Sequence, residues 1–233
     1  MGHGGSVVGV SNQNSPGPSE PALDAAGILA ATDALLPVLK RRAVRCEELR
    51  MLPPESLQEM LEAGLFRTMA PARLGGLGLP LSVLCGSVER VGTVCGSSAW
   101  VLAILGIHNW LGALLGDKAQ QELFGERGCA LFPATFAATG KAIQGDEGMT
   151  LTGHWKFASG VDCSDWVAVA AKVQHPTKPA VPDVRCFLLP VSDVRVDDTW
   201  FTSGLRGTGS NAQPGKTAGT ATKSNAIQVS NIH

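Results

Sequence analysis

The sequence predicts an α+β protein in which a helical bundle domain precedes an antiparallel, β-barrel-like domain. Apolar residues recur at helical spacing up to about residue 127, and after it in short runs with a period of two. The 233 residues suffice for two modest domains, each with its own core. The predicted organisation is a disordered start (residues 1–20), a helical domain (21–127), a β domain (128–210) and a polar, disordered tail (211–233).

Five helices are predicted in the helical domain, and chain-breaking residues mark several of their ends. The first covers about residues 21–50, with Asp24 early and basic residues late, as the helix dipole prefers. Pro53 and Pro54 precede the second helix, in "LPPESLQEMLEAGLF", and Gly64 ends it. The other three cover about residues 81–94, 97–115 and 118–124.

The fourth predicted helix is unusually apolar, with no charged residue between Arg90 and Asp117. Its length approaches the roughly 20 apolar residues that cross a bilayer, so a membrane span is one interpretation. His108 and Asn109 lie near its middle, and Lys or Arg anchors are missing beside its ends. These features favour a helix at the centre of a bundle, surrounded by other helices.

Three strands are predicted after residue 128. In "MTLTGHWKF" the alternation places Met149, Leu151, Trp155 and Phe157 on one face. "DWVAVAAKV" and "VRCFLLPV" follow as further strands. From Asn211 onward no acidic or aromatic residue occurs, so we expect the sheet to stop there.

Composition excludes several classes of function. A net charge of −1 offers no basic excess for a nucleic acid. The six cysteines are scattered without a C-x-x-C pair, and the Gly- and Ser-rich first 20 residues lack the features of a signal peptide. We therefore expect a cytoplasmic protein with reduced thiols, no membrane partner and no metal site.

Residues 155–160 suggest a flat ligand. Trp155 and Phe157 supply apolar rings, the hydroxyl of Ser159 can hydrogen-bond a ring heteroatom, and Gly160 permits close approach. A core strand that ends in a turn explains the same residues, and the pattern alone leaves both interpretations open.

Other candidate residues are equally ambiguous. His108 is either a core residue or a partner for an acidic hydroxyl such as a phenol. "FAATGKA" (136–142) and "GLRGTGS" (204–210) are either turns or backbone nests for an anion. Neither has the order of a dinucleotide or P-loop motif.

Several of these segments together resemble a known family. "LPPESLQEMLEAGLFRTMAPARLGGLGLP" is similar to the start of acyl-CoA dehydrogenase-fold flavoproteins. "GSSAWVLAILGIHNW", "GHWKFASGVDCSDWV" and "TWFTSGLRGTGSN" resemble more closely the flavin-dependent aromatic monooxygenases on that fold. These are oxygenase components of two-component systems that hydroxylate phenols, including steroid-derived and hydroxyphenylacetate-type substrates.

The resemblance implies a cofactor, partners and site residues. Reduced FMN or FAD, delivered by a separate flavin reductase, reacts with O₂, and the C4a-hydroperoxyflavin hydroxylates a small aromatic substrate. Ser159 is then expected near flavin N5, Trp155 and Phe157 beside the isoalloxazine, Thr139 on a strand that touches it, and His108 at the phenol. Relatives are expected to be tetramers.

The end of the chain departs from the family pattern. Relatives continue after the position of Asn211 into a C-terminal four-helix domain, so we expect a truncated chain with weak or no activity. Two alternatives stay open: an acyl-CoA dehydrogenase, which desaturates an acyl thioester, and a truncated product without enzymatic function.

Overall fold

The computed structural model describes residues 23–144, 148–174, 183–216, 221–222 and 227–229. Five α-helices lie within these residues, each close to its predicted span. They are α1 (Ala25–Leu49), α2 (Pro54–Glu62), α3 (Leu81–Gly92), α4 (Gly96–Gly112) and α5 (Asp117–Phe124). The disorder predicted for residues 1–20 concerns a segment outside the described residues.

Helix α4 lies at the centre of the helical domain. Its side chains from Ser97 to Asn109 are mostly buried, and a methyl group at Gly106 would approach Leu84 of α3 to 2.7 Å. Yet Trp100 and Trp110 are 46% and 51% exposed, so the expectation that other helices surround α4 on all sides is wrong. No helix in the described part of the chain has the length and apolarity that a bilayer crossing requires.

The described part of the second half forms a seven-stranded sheet with the order β5-β2-β1-β3-β4-β7, and β6 pairs with β2. The strands are β1 (Ala134–Gln144), β2 (Gly148–Ala158), β3 (Trp166–Gln174), β4 (Val184–Pro190), β5 (Asn211–Lys216), β6 (Ala221–Thr222) and β7 (Ile227–Val229). Strands β2, β3 and β4 were predicted, whereas β1 contains "FAATGKA", which the pattern left as a turn or nest.

The predicted antiparallel barrel is wrong in two respects. First, β1 pairs with β3 in parallel. Because β5 takes the other edge of β2, β3 joins the free edge of β1. The connection from Ala158 to Trp166 is short, so β3 begins at the end of the sheet where β2 finishes and runs opposite to β2, which is the direction of β1. Second, β5 and β7 are the two ends of the order and do not pair with each other in the described residues, so the sheet is open.

The sheet continues beyond residue 210, where the sequence predicted a disordered tail. Strand β5 pairs with β2 from Thr152↔Lys216 to Ala158↔Asn211. The Asn211 side chain holds the start of β5, since its Oδ1 accepts the backbone N–H groups of Thr199 and Trp200, each at 3.0 Å. Ladder hydrogen bonds belong to the backbone, so a low apolar content did not prevent this pairing.

Each face of the sheet belongs to a different core. Ala168, Cys186 and Leu188 pack into the large apolar cluster of the helical domain. A second cluster on the sheet includes Trp155 and Phe187 together with alternate residues of β3. The sheet is therefore fixed against the helices through β3 and β4, and the ends of β1 and β2 are held close to α4.

Candidate functional site

A pocket of about 430 Å³ lies where α4 meets the sheet. Helix α4 contributes residues spaced by four, so they share one helix face. The sheet contributes the start of β1 and the end of β2, and the segment 200–210 closes a third side. The lining comprises Trp100, Ile104, His108, Ala134, Phe136, Phe157, Ser159, Trp200, Leu205, Thr208 and Ser210.

A bulge at the end of β2 turns Phe157 into this pocket. The register between β2 and β5 shifts between Trp155 and Ala158, and Phe157 has a left-handed φ of 66°. An extra residue in a bulge reverses the side-chain alternation beyond it. Trp155 is consequently 1% exposed while Phe157 is 68% exposed, so the prediction that both lie on one face is wrong.

Trp155 belongs to the sheet core and does not line the pocket. Its indole lies over Gly140, where an added methyl group would collide with the ring. Its Nε1–H donates to the Ala170 carbonyl at 2.7 Å, at the point where the β1–β3 register shifts between Thr135 and Gly140. The indole thus fills a gap that an irregular strand pair leaves in the sheet.

Thr139 is also separate from the pocket. It lies within the irregular part of β1, and its Oγ1 donates to the His154 carbonyl at 2.8 Å. Of the five predicted site residues, the structure brings together His108, Phe157 and Ser159 and leaves out Trp155 and Thr139.

His108 presents an acceptor to the pocket. Its Nδ1 lies 2.8 Å from the Phe132 carbonyl oxygen, which can only accept, so Nδ1 carries the proton. The other ring nitrogen, Nε2, therefore has a lone pair. Burial lowers the pKa of His108 below its ordinary value, against a smaller opposing effect of the Phe132 bond, so the ring is neutral at pH 7.

Ser159 belongs to a chain of buried hydroxyl groups. The Nε1–H of Trp100 donates to Ser159 Oγ at 3.0 Å, and Ser159 Oγ lies 2.8 Å from Ser210 Oγ. Ser210 Oγ lies 2.8 Å from Thr208 Oγ1, which donates to the Leu205 carbonyl at 2.9 Å. The chain links the pocket wall on α4 to the segment 204–210.

Glu47 of α1 holds this segment in place. Its carboxylate accepts the backbone N–H groups of Arg206 at 2.8 Å and Gly207 at 3.4 Å, and also the hydroxyl of Ser97. Two of the N–H groups that were considered for an anionic ligand in "GLRGTGS" thus already bind a carboxylate of the protein itself. Gly207 is required because a methyl group there would collide with Cys46.

Sequence reasoning missed several lining residues. Trp100 could have been predicted as a lining residue, because it precedes His108 by eight residues and so shares its helix face. Phe136, Trp200, Thr208 and Ser210 lie in segments that the sequence singled out, but nothing in the sequence indicated that the fold brings them together from distant parts of the chain. The edge-on contact of Phe157 with Trp200, with 6.1 Å between ring centroids, also depends on the bulge.

Known proteins resemble this chain in sequence and fold. Residues 30–129 match the model of the acyl-CoA dehydrogenase N-terminal domain. The chain carries the N-terminal domain of the acyl-CoA dehydrogenase family. It is 37% identical over 188 residues to the flavin-dependent monooxygenase oxygenase subunit HsaA of Mycobacterium tuberculosis, covering 81% of this chain and 47% of that protein.

Further relatives of this chain are also oxygenase components. It is 29% identical to the oxygenase component of an FADH(2)-dependent resorcinol hydroxylase from Rhizobium sp., over 85% of this chain and 48% of that protein. These homologues are oxygenase components of flavin-dependent monooxygenases. The chain spans about half the length of the relatives it matches.

Solved structures agree on the fold. The crystal structure of HsaA from M. tuberculosis matches 88% of this chain and 53% of its own, with a TM-score of 0.79 and 35% identity. XiaF from Streptomyces sp., in complex with FADH2 and glycerol, matches 88% of this chain and 51% of its own, with a TM-score of 0.80 and 25% identity. The mixed helical and sheet architecture therefore recurs in flavin-dependent relatives.

Proposed function

We propose that this chain belongs to the oxygenase component of a two-component monooxygenase, which uses reduced flavin and O₂ to hydroxylate a phenolic substrate. One observation carries the proposal: a single aromatic pocket contains both the Nε2 acceptor of neutral His108 and the hydroxyl of Ser159. The homology to oxygenase components supports it.

The pocket fits a flavin ring system. A volume of about 430 Å³ is within the usual range for small-molecule sites. Trp100, Phe157 and Trp200 offer aromatic surface to a flat ligand, and the Ser159 hydroxyl offers a polar partner at the ring edge. Reduced flavin, when bound, supplies the electrons that activate O₂, while these residues would orient the ring and cover part of it.

His108 is suited to the phenol. A neutral imidazole with its proton fixed on Nδ1 accepts a hydrogen bond from a phenol O–H through Nε2. Drawing the phenol proton towards Nε2 raises the electron density of the aromatic ring, which favours attack by the ring on an electrophilic oxygen. Burial keeps the imidazole unprotonated near pH 7, as this role requires.

The acyl-CoA dehydrogenase alternative has support from the family domain itself. That reaction removes an α-proton from an acyl thioester, a step that the family resemblance assigns to a glutamate carboxylate. The lining formed by the described residues contains no Asp or Glu, and His108 is its titratable group. The pocket chemistry therefore favours the hydroxylase.

The finer proposals concern affinity and partners. Because Trp100 is 46% exposed and Phe157 68% exposed, the aromatic wall leaves a flat ligand partly in water, and we propose weak flavin binding and little activity for the 233 residues alone. We also propose that the protein is a cytoplasmic homo-oligomer, a tetramer as expected for its relatives, that receives FMN or FAD from a reductase.

Two measurements test the proposed function. Titration with reduced and oxidised FMN and FAD is expected to give saturable binding with a dissociation constant above about one micromolar, and sub-micromolar binding would refute the weak-affinity proposal.

Product analysis with NADH, a flavin reductase and a phenol is expected to detect hydroxylated product. His108→Gln is expected to abolish it, whereas the exposed control His154→Gln retains it; equal activity of the two variants contradicts the proposed role of His108.

A further inference from the structure

We propose that the hydroxyl groups of Thr208 and Ser210 bias the pocket towards reduced over oxidised flavin, by fixing the direction in which Ser159 shares its proton. The inference rests on the proposed function and goes beyond it, because it assigns a positioning role to two further residues of the pocket lining. Thr208 is 1% exposed and Ser210 5% exposed.

The direction follows from counting protons. Each hydroxyl group has one proton to donate. Thr208 gives its proton to the Leu205 carbonyl, so Ser210 must be the donor in the 2.8 Å contact with Thr208. Ser159 must then be the donor in its 2.8 Å contact with Ser210. The Trp100 indole N–H, which can only donate, completes the chain at Ser159.

In this direction Ser159 is an acceptor towards the pocket. Its proton is committed to Ser210, one lone pair receives the Trp100 N–H, and the second lone pair is left for a ligand. The central ring of oxidised flavin has an unprotonated edge nitrogen, an acceptor, and reduction converts it to an N–H donor. Only the reduced form complements a Ser159 that accepts.

Reversal of the chain is possible at a modest cost. If Ser159 donates to a ligand, Ser210 must donate to Ser159, and Thr208 to Ser210, so Leu205 loses the Thr208 hydroxyl. The Leu205 carbonyl keeps two other donors, the Trp200 indole N–H at 2.9 Å and the Thr208 backbone N–H at 3.3 Å. The preference for reduced flavin is therefore a bias and not an exclusion.

Replacement of Thr208 by valine separates this role from a merely structural one. Valine has the shape of threonine without the hydroxyl, so Ser210 has only Ser159 left to donate to. Ser159 then accepts from both Trp100 and Ser210, its lone pairs are filled, and its proton turns to the pocket. Thr208→Val should consequently weaken the binding of reduced flavin. The binding of oxidised flavin should be unchanged or tighter.

The experiment measures dissociation constants of FMN and FAD for the 233-residue chain, oxidised in air and reduced anaerobically with dithionite. We expect Thr208→Val to shift the ratio of the two constants about fivefold towards oxidised flavin, the scale of one hydrogen bond. This corresponds to a bound-flavin midpoint potential ~20 mV lower. Thr208→Ser, which restores the hydroxyl, should keep the wild-type ratio.

The ratio is informative because a general loosening of the pocket weakens both redox forms alike. An unchanged ratio in Thr208→Val, with flavin still bound, overturns the relay and leaves the proposed function intact. A ratio that shifts equally in Thr208→Ser also overturns it, since the hydroxyl would then not be the cause. Failure of the wild-type chain to bind either redox form overturns the proposed function together with this inference.

Discussion

The side chain of Gln213 is the clearest energetic defect in the described structure. Gln213 is fully buried, and neither its Nε2 nor its Oε1 has a hydrogen-bond partner among the described residues. On β5 it lies directly opposite Trp155, a member of the apolar cluster on the sheet. Directly opposed residues of an antiparallel pair share a face, and the Trp155 N–H is already committed to Ala170.

The expected gain from removing this amide follows from its desolvation. Burying an amide without partners costs about 1–3 kcal/mol in protein mutation data. Methionine has nearly the volume of glutamine and no group that requires a hydrogen bond, so it adds little strain. We expect Gln213→Met to raise the free energy of unfolding by about 2 kcal/mol, or the midpoint temperature by roughly 4–8 °C for a chain of this size.

A second buried glutamine provides a matched control. Gln120 donates to the carbonyls of Ala113, at 3.0 Å, and Leu115, and it accepts from Arg73. The same substitution there removes several bonds and strands their partners, so Gln120→Met is expected to lower the free energy of unfolding by about 2–4 kcal/mol. The assay is urea denaturation followed by tryptophan fluorescence and circular dichroism. If Gln213→Met is neutral or destabilising, the amide has partners and the reasoning fails.

Three further predictions concern the backbone and the pocket. Gly140→Ala places a methyl group against the indole of Trp155 and should lower the free energy of unfolding by about 1–3 kcal/mol; an unchanged urea midpoint would contradict this contact. At the left-handed position of Phe157, Phe157→Gly should be about 1 kcal/mol more stable than Phe157→Ala in the same denaturation assay, the reverse of the usual order of these residues. Burial lowers the pKa of His108 from 6.5, so on acidification the unfolded chain protonates this ring at a higher pH than the folded chain does. The free energy of unfolding should therefore fall as the pH drops below about 6.5. Midpoint temperatures between pH 7 and pH 5 should show this fall reduced in His108→Gln and retained in His154→Gln.

The helical half was predictable because its signals are local. Asp24 lies at the start of α1, as the sequence indicated, and caps it by accepting the Gly27 N–H at 2.7 Å. The two prolines were predicted to precede α2, and the second of them, Pro54, is its first residue. The absence of charged residues between Arg90 and Asp117 also indicated that α4 is largely buried. It did not indicate which face of α4 is left exposed, because Trp100 and Trp110 are as apolar as the buried residues around them.

The sheet was less predictable because its decisive features depend on pairing between strands. A period of two shows that β2 is a strand, but it assumes an unbroken alternation, and the shift between Trp155 and Ala158 is set by the partner β5. The parallel pairing of β3 depends on the edge that β5 occupies and on the short connection from Ala158 to Trp166. The residue pattern alone missed β1, which only the family resemblance expected as the strand of Thr139, because residues 136–139 leave the regular register and lack alternation.

Prediction of the pocket from the sequence had a different limit. The sequence identified the polar residues, but it did not show whether each of them donates or accepts a hydrogen bond. His108 and Ser159 can each donate or accept. The Phe132 carbonyl takes the Nδ1 proton of His108, and the Leu205 carbonyl terminates the hydroxyl chain that begins at Ser159. Two backbone carbonyls, positioned by the fold, thus turn both side chains into acceptors. A pocket with two acceptors complements a ligand pair that brings two donors, namely a phenol O–H and the N–H of a reduced flavin, and this agreement is why the two proposals stand on one geometry.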